Sequence, residues 1–343
     1  METFVGLDVS LETTHVCVVD GNGKTVWQGS CCSTPEALAD TIRKHARGAQ
    51  RIGLESGMFS TWHWHSLKAM NLPVVCIHAR HAKAALSMQV NKTDKNDALG
   101  IAQIMRMGWY KEVGVKSLTS HEVRAVLGVR SRLVGLRTDV MNQVRGVLKN
   151  FGLVLQKGKG PRFEERVEEI APGDGLLHES LSCLLTLLRN TREQIARLDE
   201  HIHAFVKADK ACRHVMTVPG VGPLTAAAFV SAVDDPAKFA KSKDIGAYFG
   251  LTPKRYQSGE MDRNGRISKC GDGLVRKYLF EAATTLLTRV SRWSGLKAWG
   301  LRLAKRSGMK KATVAVARKL AVTMHAMWTT GEVFRWSNAT ATA

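Results

Sequence analysis

Short apolar runs punctuated by turn residues fill the first hundred positions, and a seven-residue apolar repeat follows. Phe4–Ser10 reads as a buried strand ending in polar residues, and Thr14–Asp20 as its partner. Gly21-Asn22-Gly23 closes the hairpin, and Lys24–Ser30 gives a third strand. Thr34–Arg47 reads as a helix with Thr34 as N-cap and Pro35 at its first position. Arg51–Ser56 is a fourth strand, and Val74–Ile77 a fifth after another helix. Three meandering strands followed by alternating helices and strands describe an α/β domain of ribonuclease-H type, a spacing shared with other α/β folds.

The periodicity then lengthens. Val126, Leu133, Val140, Val147 and Val154 recur every seven residues, with Val129 and Leu136 at complementary positions before Gln143 and Asn150 interrupt them. A second series runs Leu181, Leu188, Ile195, Ile202, with Leu184, Leu198 and Phe205 between. Both predict long helices of coiled-coil type, separated by the breakers Lys157–Pro161 and Pro172–Gly175. They can fold back on each other or pair with another subunit. Beyond them, Val218–Ala226 (V-P-G-V-G-P-L-T-A) has the form of a helix-hairpin-helix. Gly220 and Gly222 would there free backbone N–H groups for a phosphate. A short helix over Asp244–Phe249 stops at Gly250, and an amphipathic helix runs from about Gly273 to Arg289. Asn338–Ala343 reads as a disordered tail. The resulting division is 1–112, 113–208, 209–335 and 336–343.

Composition changes the picture through charge. Fifty Lys and Arg against thirty Asp and Glu leave a formal charge of +20, which points to a polyanionic partner, most economically nucleic acid. Seven cysteines form no C-x-x-C pair, and no secretory or membrane-spanning segment is legible, so a reduced, cytoplasmic setting is expected. Arg302, Lys305, Arg306, Lys310, Lys311, Arg318 and Lys319 stand in a stretch, 301–325, that holds no acid. They form a backbone-binding surface in prospect.

Candidate chemistry lies in two places. Asp8 and Glu55 fall late in predicted central strands, and Asp94 and Asp97 open a helix running to about Met107. Positions i and i+3 share a helix face. Carboxylates gathered at one point repel unless hard cations neutralise them, and Mg²⁺ takes such oxygen ligands while bridging to phosphates. The bland alternative for Asp94 is a helix N-terminal acid favoured by the dipole. Ser258 sits in a short basic loop, K-R-Y-Q-S-G-E over 254–260, where Gly259 allows the serine to be presented openly. Lys254, Arg255, Arg263, Arg266 and Lys269 surround it and suit phosphate oxygens. Trp62-His63-Trp64-His65 and Cys76-x-His78-x-x-His81 hint at metal ligands but lack a companion pair at zinc-like spacing. Gly6-x-Asp8-x-Ser10 lacks the glycine-rich turn that an actin-like kinase would need.

Taken in order, V-G-L-D-V-S, L-E-S-G, K-T-D-K-N-D-A, P-G-V-G-P-L-T-A and G-L-T-P-K-R-Y-Q-S-G with G-R-I-S-K-C-G-D resemble the IS110-type insertion-sequence transposases from residue 4 to about 290. The resemblance implies a RuvC-like N-terminal domain, a coiled-coil insertion and a mainly α-helical C-terminal transposase domain. It assigns the acidic tetrad to Asp8, Glu55, Asp94 and Asp97, and the serine nucleophile to Ser258. It implies Mg²⁺ or Mn²⁺, an element-encoded noncoding guide RNA pairing with donor and target DNA, and a homo-oligomer, a dimer assembling to a tetramer, with composite sites. Leu11 departs from the lysine often found after D-V-S. Two alternatives stand beside this reading: a junction nuclease of the same fold using water, and a noncatalytic nucleic-acid-binding protein.

Overall fold

The computed structural model describes residues 2–87, 93–155, 162–171 and 173–336. Lys92, the breakers Lys157–Pro161 and Pro172, and the tail Asn338–Ala343 lie outside the described residues. The chain forms two compact units, Met1–Lys116 and Ser117–Ala343.

The first unit contains β1 (Thr3–Val9), β2 (Thr13–Asp20), β3 (Thr25–Cys32), α1 (Pro35–His45), β4 (Arg51–Glu55), α2 (Ser60–Ala69), β5 (Val74–Ile77), α3 (Ala79–Leu86) and α4 (Asp94–Met107). Its sheet has the order β3-β2-β1-β4-β5, antiparallel over β1–β3 and parallel from β1 to β4 and β5. The hairpin turn forms because the Asp20 carboxylate accepts from the Asn22 and Lys24 amides, at 3.0 and 2.8 Å. β3 starts one residue later than the sequence indicates and runs on to Cys32. Thr34 caps α1 through its hydroxyl, as the sequence indicates.

Alternation divides the sheet between two apolar layers. Val5, Leu7, Val16 and Val18 bury against Leu38, Ile42 and Leu67 of α1 and α2. Phe4, Cys17 and Val19 bury against Ile101, Ala102 and Met105 of α4. Residues 111–113 then run along β5, where His78 N donates to Lys111 O (3.1 Å) and Val113 N to Cys76 O (2.8 Å). This pairing carries the unit past residue 112, to Lys116.

The second unit contains α5 (Leu118–Asn150), α6 (Arg162–Ile170), α7 (Gly175–Ala208), α8 (Lys210–Val215), α9 (Pro223–Val233), α10 (Asp244–Tyr248), β6 (Pro253–Ser258), β7 (Met261–Ile267), α11 (Gly273–Thr288), α12 (Gly295–Ser307) and α13 (Met309–Thr330). The helices α5 and α7 fold back on each other within the chain. Val123 and Leu127 meet Ile202 and Val206 at the base, while Val140, Met141, Val144 and Leu148 meet Leu181, Leu185 and Leu188 at the tip. Phe163 and Val167 of α6 close the tip cluster, and Glu164 accepts from both Arg189 (2.8 Å) and Arg192. Arg130 grips Asp199 midway with two N–H groups.

The heptad series holds on α7, where Leu181, Leu188, Ile195 and Ile202 are all buried. On α5 it holds only in part: Val140 is buried, and Val126, Leu136 and Val147 pack against the clusters, but Val129 is 53% exposed, and Val123, Leu127, Met141, Val144 and Leu148 are buried off the predicted line. The reason is that α5 serves different neighbours along its length, so its buried line drifts off a strict seven-residue seam. The base of the hairpin also belongs to the core of the C-terminal helices. Leu127 and Val206 join one cluster with Phe229 of α9, Leu279 of α11 and Leu320 of α13. The tip of the hairpin thus keeps an apolar core of its own, while its base is shared with the C-terminal helices.

Candidate active site

Sheet register brings the first two carboxylates together. β1 and β4 pair in parallel from Phe4↔Arg51 to Leu7↔Leu54, so the next residues, Asp8 and Glu55, leave adjacent strands side by side at their C-terminal ends. Both are half-buried. In open parallel sheets this end is where ligands bind.

The other two carboxylates arrive on α4, and two glycines let it come close. A Cβ on Gly6 would lie 2.1 Å from Ala98 O and 2.4 Å from Ala102 N; one on Gly53 would lie 2.6 Å from Met105 Cγ. Gly6 and Gly53 are register partners, so together they form a slot across β1 and β4 for the helix backbone. Ala98 lies by Gly6, and Arg51 at the start of β4 donates to Met105 O (2.8 Å). The helix therefore runs antiparallel to these strands, and its first turn, with Asp94 and Asp97, comes to the Asp8–Glu55 end. Thr93 caps that turn, accepting from Asn96 N at 3.2 Å. Gln28 of β3 ties it further by donating to Lys95 O (2.8 Å).

A neighbour the sequence did not single out is His15, the cross-strand partner of Asp8. Its Nε2 lies 3.7 Å from Asp94 Oδ2. Only the strand register could have pointed to it, since seven positions separate it from Asp8 in the chain.

Ser258 lies in the second unit, and its setting differs from expectation. The basic stretch is a β-hairpin, not a loop: Ser258 ends β6 and pairs with Met261, the first residue of β7. Gly259 and Glu260 make a two-residue turn with Gly259 at φ 53°, a conformation glycine adopts without penalty. The alternation of K-R-Y-Q-S is the strand signal, and its basic residues masked it. All of β6 is exposed. Arg255 donates to both oxygens of Asp262, at 2.8 and 2.7 Å, which holds that carboxyl below its usual range. Its guanidinium is thus engaged inside the hairpin. Lys254, Arg263, Arg266 and Lys269 are exposed around it, Lys269 in the left-handed region at φ 55°.

Gly220 and Gly222 join α8 to α9. Gly220 has φ 86° and packs on α11, where a Cβ would meet Ala282 O at 2.5 Å, so packing alone requires glycine here. Gly222 is the N-cap of α9, with open space about its Cα and Pro223 at the first helical position. Arg306 ends α12, and Lys310 and Lys311 open α13; all three are exposed. The histidine pairs have structural settings instead. His63 is buried with its ring nitrogens 3.0 and 3.1 Å from the carbonyl oxygens of Phe59 and Ser33, and His65 reaches Lys116 O at 2.9 Å. His78 caps α3.

Among the described residues, no group of three or more His, Cys, Asp or Glu side chains is close enough to hold a metal ion. The donor chemistry at the sheet end is nonetheless all carboxylate oxygen, with two donors on strand ends and two on one helical turn. That set suits a hard divalent cation.

A mixed five-stranded sheet of this order, with carboxylates at the ends of β1 and β4 and the start of α4, defines a ribonuclease-H-like enzyme of phosphoryl transfer. Comparisons with known proteins make the class specific. Residues 5–152 match a transposase domain of the DEDD type, which implies use of divalent metal, and residues 212–299 match the model described as transposase IS116/IS110/IS902 family. The chain is 30% identical over 345 residues to the transposase for insertion sequence element IS1111A of Coxiella burnetii, covering 96% of this chain and 91% of that one. It is 32% identical over 235 residues to a probable family 20 transposase of Pseudomonas aeruginosa, covering 67% and 70%. It is also 25% identical over 349 residues to the pilin gene-inverting protein of Moraxella bovis, covering 95% of each. The chain belongs to the IS116/IS110/IS902 family of transposases. It is thus an insertion-sequence transposase, a DNA-binding enzyme that transfers phosphoryl groups. Among the described residues no helix is long and apolar enough to cross a membrane.

Proposed function

We propose that this transposase cuts and rejoins DNA through a covalent phosphoserine at Ser258, with Asp8, Glu55, Asp94 and Asp97 as its metal-holding carboxylates. The observation that carries this reading is the presentation of Ser258, exposed at the tip of a hairpin beside a two-residue turn. Bound Mg²⁺ or Mn²⁺ would polarise the scissile phosphate and neutralise the charge of the transition state. Ser258 Oγ gives up its proton and attacks phosphorus. The bond from phosphorus to the departing deoxyribose oxygen breaks, and that oxygen takes a proton. Attack by the hydroxyl of another strand reverses the step and frees the serine, so the phosphodiester is conserved without ATP. A serine is needed for this and not for simple hydrolysis. The name of the Moraxella bovis relative supports the reading, because gene inversion requires rejoining as well as cutting.

Sequence selection is assigned to an element-encoded noncoding RNA that pairs with donor and target DNA. The +20 charge supports it, since pairing can read bases while the protein holds backbones. The working form is a homo-oligomer, a dimer assembling to a tetramer, in which one protomer's carboxylates complete another's serine site. The test is a search for a covalent protein–DNA adduct on the element's own flanking DNA, comparing the unaltered protein with Ser258→Ala and Asp97→Asn. Loss of the adduct in both variants is expected. Cleavage that survives Ser258→Ala without an adduct would leave a water-using nuclease.

A further inference from the structure

We propose that Tyr256 is the base-stacking residue beside Ser258. Its open ring face takes the nucleobase flanking the phosphate that Ser258 attacks, and Arg263 holds that nucleotide's backbone. The proposal rests on the serine reading above and adds to it the residues that orient the strand.

The placement follows from the hairpin's register. Tyr256 and Ser258 are two positions apart in β6, so they share one face, about 7 Å apart along the strand. Tyr256 pairs with Arg263 and Ser258 with Met261, which puts all four side chains on that face. The opposite face carries the Arg255–Asp262 brace. The braced side is thus neutralised, and the serine side keeps its cation: among the described residues Arg263 forms no ion pair.

The ring itself is set up for stacking. A Cβ on Gly265 would lie 3.0 Å from Tyr256 Cε2 and 3.7 Å from Cδ2, so the absence of a side chain there leaves room for that edge of the ring. Yet the residue is 60% exposed. A ring carried on a paired strand, with one edge beside its cross-strand neighbour, has less freedom to lose on binding than one on a loop. Met261, 61% exposed, lies across from the serine and adds an apolar contact there. Lys254, Arg266 and Lys269 are exposed nearby, which favours a polyanion over an apolar protein surface. Every base offers a π-face, so this contact tolerates any sequence, as expected where sequence is read elsewhere.

The experiment measures binding by the full chain carrying Ser258→Ala, assembled with the element's noncoding RNA that fixes the register, so that the DNA stays uncut. Element-end oligonucleotides are made with an abasic site at each position in turn. One abasic position is expected to weaken binding about 5- to 150-fold, the range for a single stacked base. Adding Tyr256→Ala should weaken binding to intact DNA by the same factor and erase the penalty at that one position. Tyr256→Phe should behave as tyrosine. Arg263→Ala should weaken every oligonucleotide alike and reduce the salt dependence of log K by about one phosphate's worth. Penalties that add for Tyr256→Ala at every abasic position would overturn the proposal, as would binding unchanged by Tyr256→Ala. Because these readouts use a serine-free protein, failure of the serine mechanism appears separately, as an adduct or cleavage retained by Ser258→Ala.

Discussion

Replacing Gly6 by alanine tests whether the glycine slot is what delivers α4 to the carboxylate end of the sheet. In open space such a change stabilises a protein by about 0.4–1 kcal/mol, because alanine has less unfolded-state entropy to lose. Here the new methyl would lie 2.1 Å from Ala98 O and 2.4 Å from Ala102 N. Both are helix backbone atoms that cannot rotate away, so the cost belongs at or above the top of the ~1–3 kcal/mol range for overpacking. The net expectation is a loss of about 2 kcal/mol, or about 8 °C in the melting midpoint of a unit this size. Gly53→Ala meets Met105 Cγ and Sδ (2.6 and 2.8 Å) and Ile101 Cγ2 (2.9 Å). A methionine can re-pack, so this variant should lose about 1 kcal/mol or less. Gly128→Ala, on α5 with nothing within reach, should gain up to about 1 kcal/mol.

Scanning calorimetry reads the stability order, and the adduct assay reads the site. Lifting α4 by about 1 Å moves Asp94 and Asp97 together and should cost about 100-fold in adduct formation. A Gly6→Ala protein that melts with the unaltered one and forms adduct at full rate would refute the reasoning.

Two further outcomes are expected. Burial would push the Asp234 carboxyl up, but hydrogen bonds from the Ser117 side chain, Ser120, the Ser117 backbone and Lys238 outweigh it and hold the pKa at about 2. A depressed carboxylate stabilises the fold above its unfolded pKa and loses that contribution as pH falls toward 2, so the difference in melting midpoint between Asp234→Ala and the unaltered protein should shrink on acidification; at pH 7 the variant should lose about 1.5–3 kcal/mol. If Lys310 and Lys311 contact phosphates, the double change to alanine should reduce the slope of log K against log salt by nearly two, and an unchanged slope would remove them from the DNA surface.

Much of the first unit was legible because its strands are short and bounded by turn residues. Val74–Ile77 is recovered to the residue, and Asp94 opens its helix as Thr93-Asp94 indicates. That Asp8, Glu55, Asp94 and Asp97 lie toward the same end of the sheet follows from fold topology plus the two glycines. Gly6 and Gly53 look unremarked in a strand until a helix is known to cross them. The hairpin of Ser258 was hidden because K-R-Y-Q-S buries nothing, and an alternation with no apolar face does not register as a strand. The α5 seam was legible only in part: Val140 and Val147 lie on the predicted line, but a helix touching α9 at one end and α6 at the other buries further residues off it. His15 was beyond reach, since its role is set by which residue lies opposite Asp8.

The helical hairpin α5–α7 has two separate clusters of apolar contacts, one at its tip and one at its base. At 33 residues, α5 spans about 50 Å. It is therefore a lever arm whose fulcrum is the C-terminal core. Near the fulcrum Arg124 bonds Asp272 at 2.6 Å, and Asp272 caps α11 through the Leu274 and Val275 amides. The base of the arm is thus tied by an ion pair to the start of α11, the helix that follows the strand paired with the serine strand.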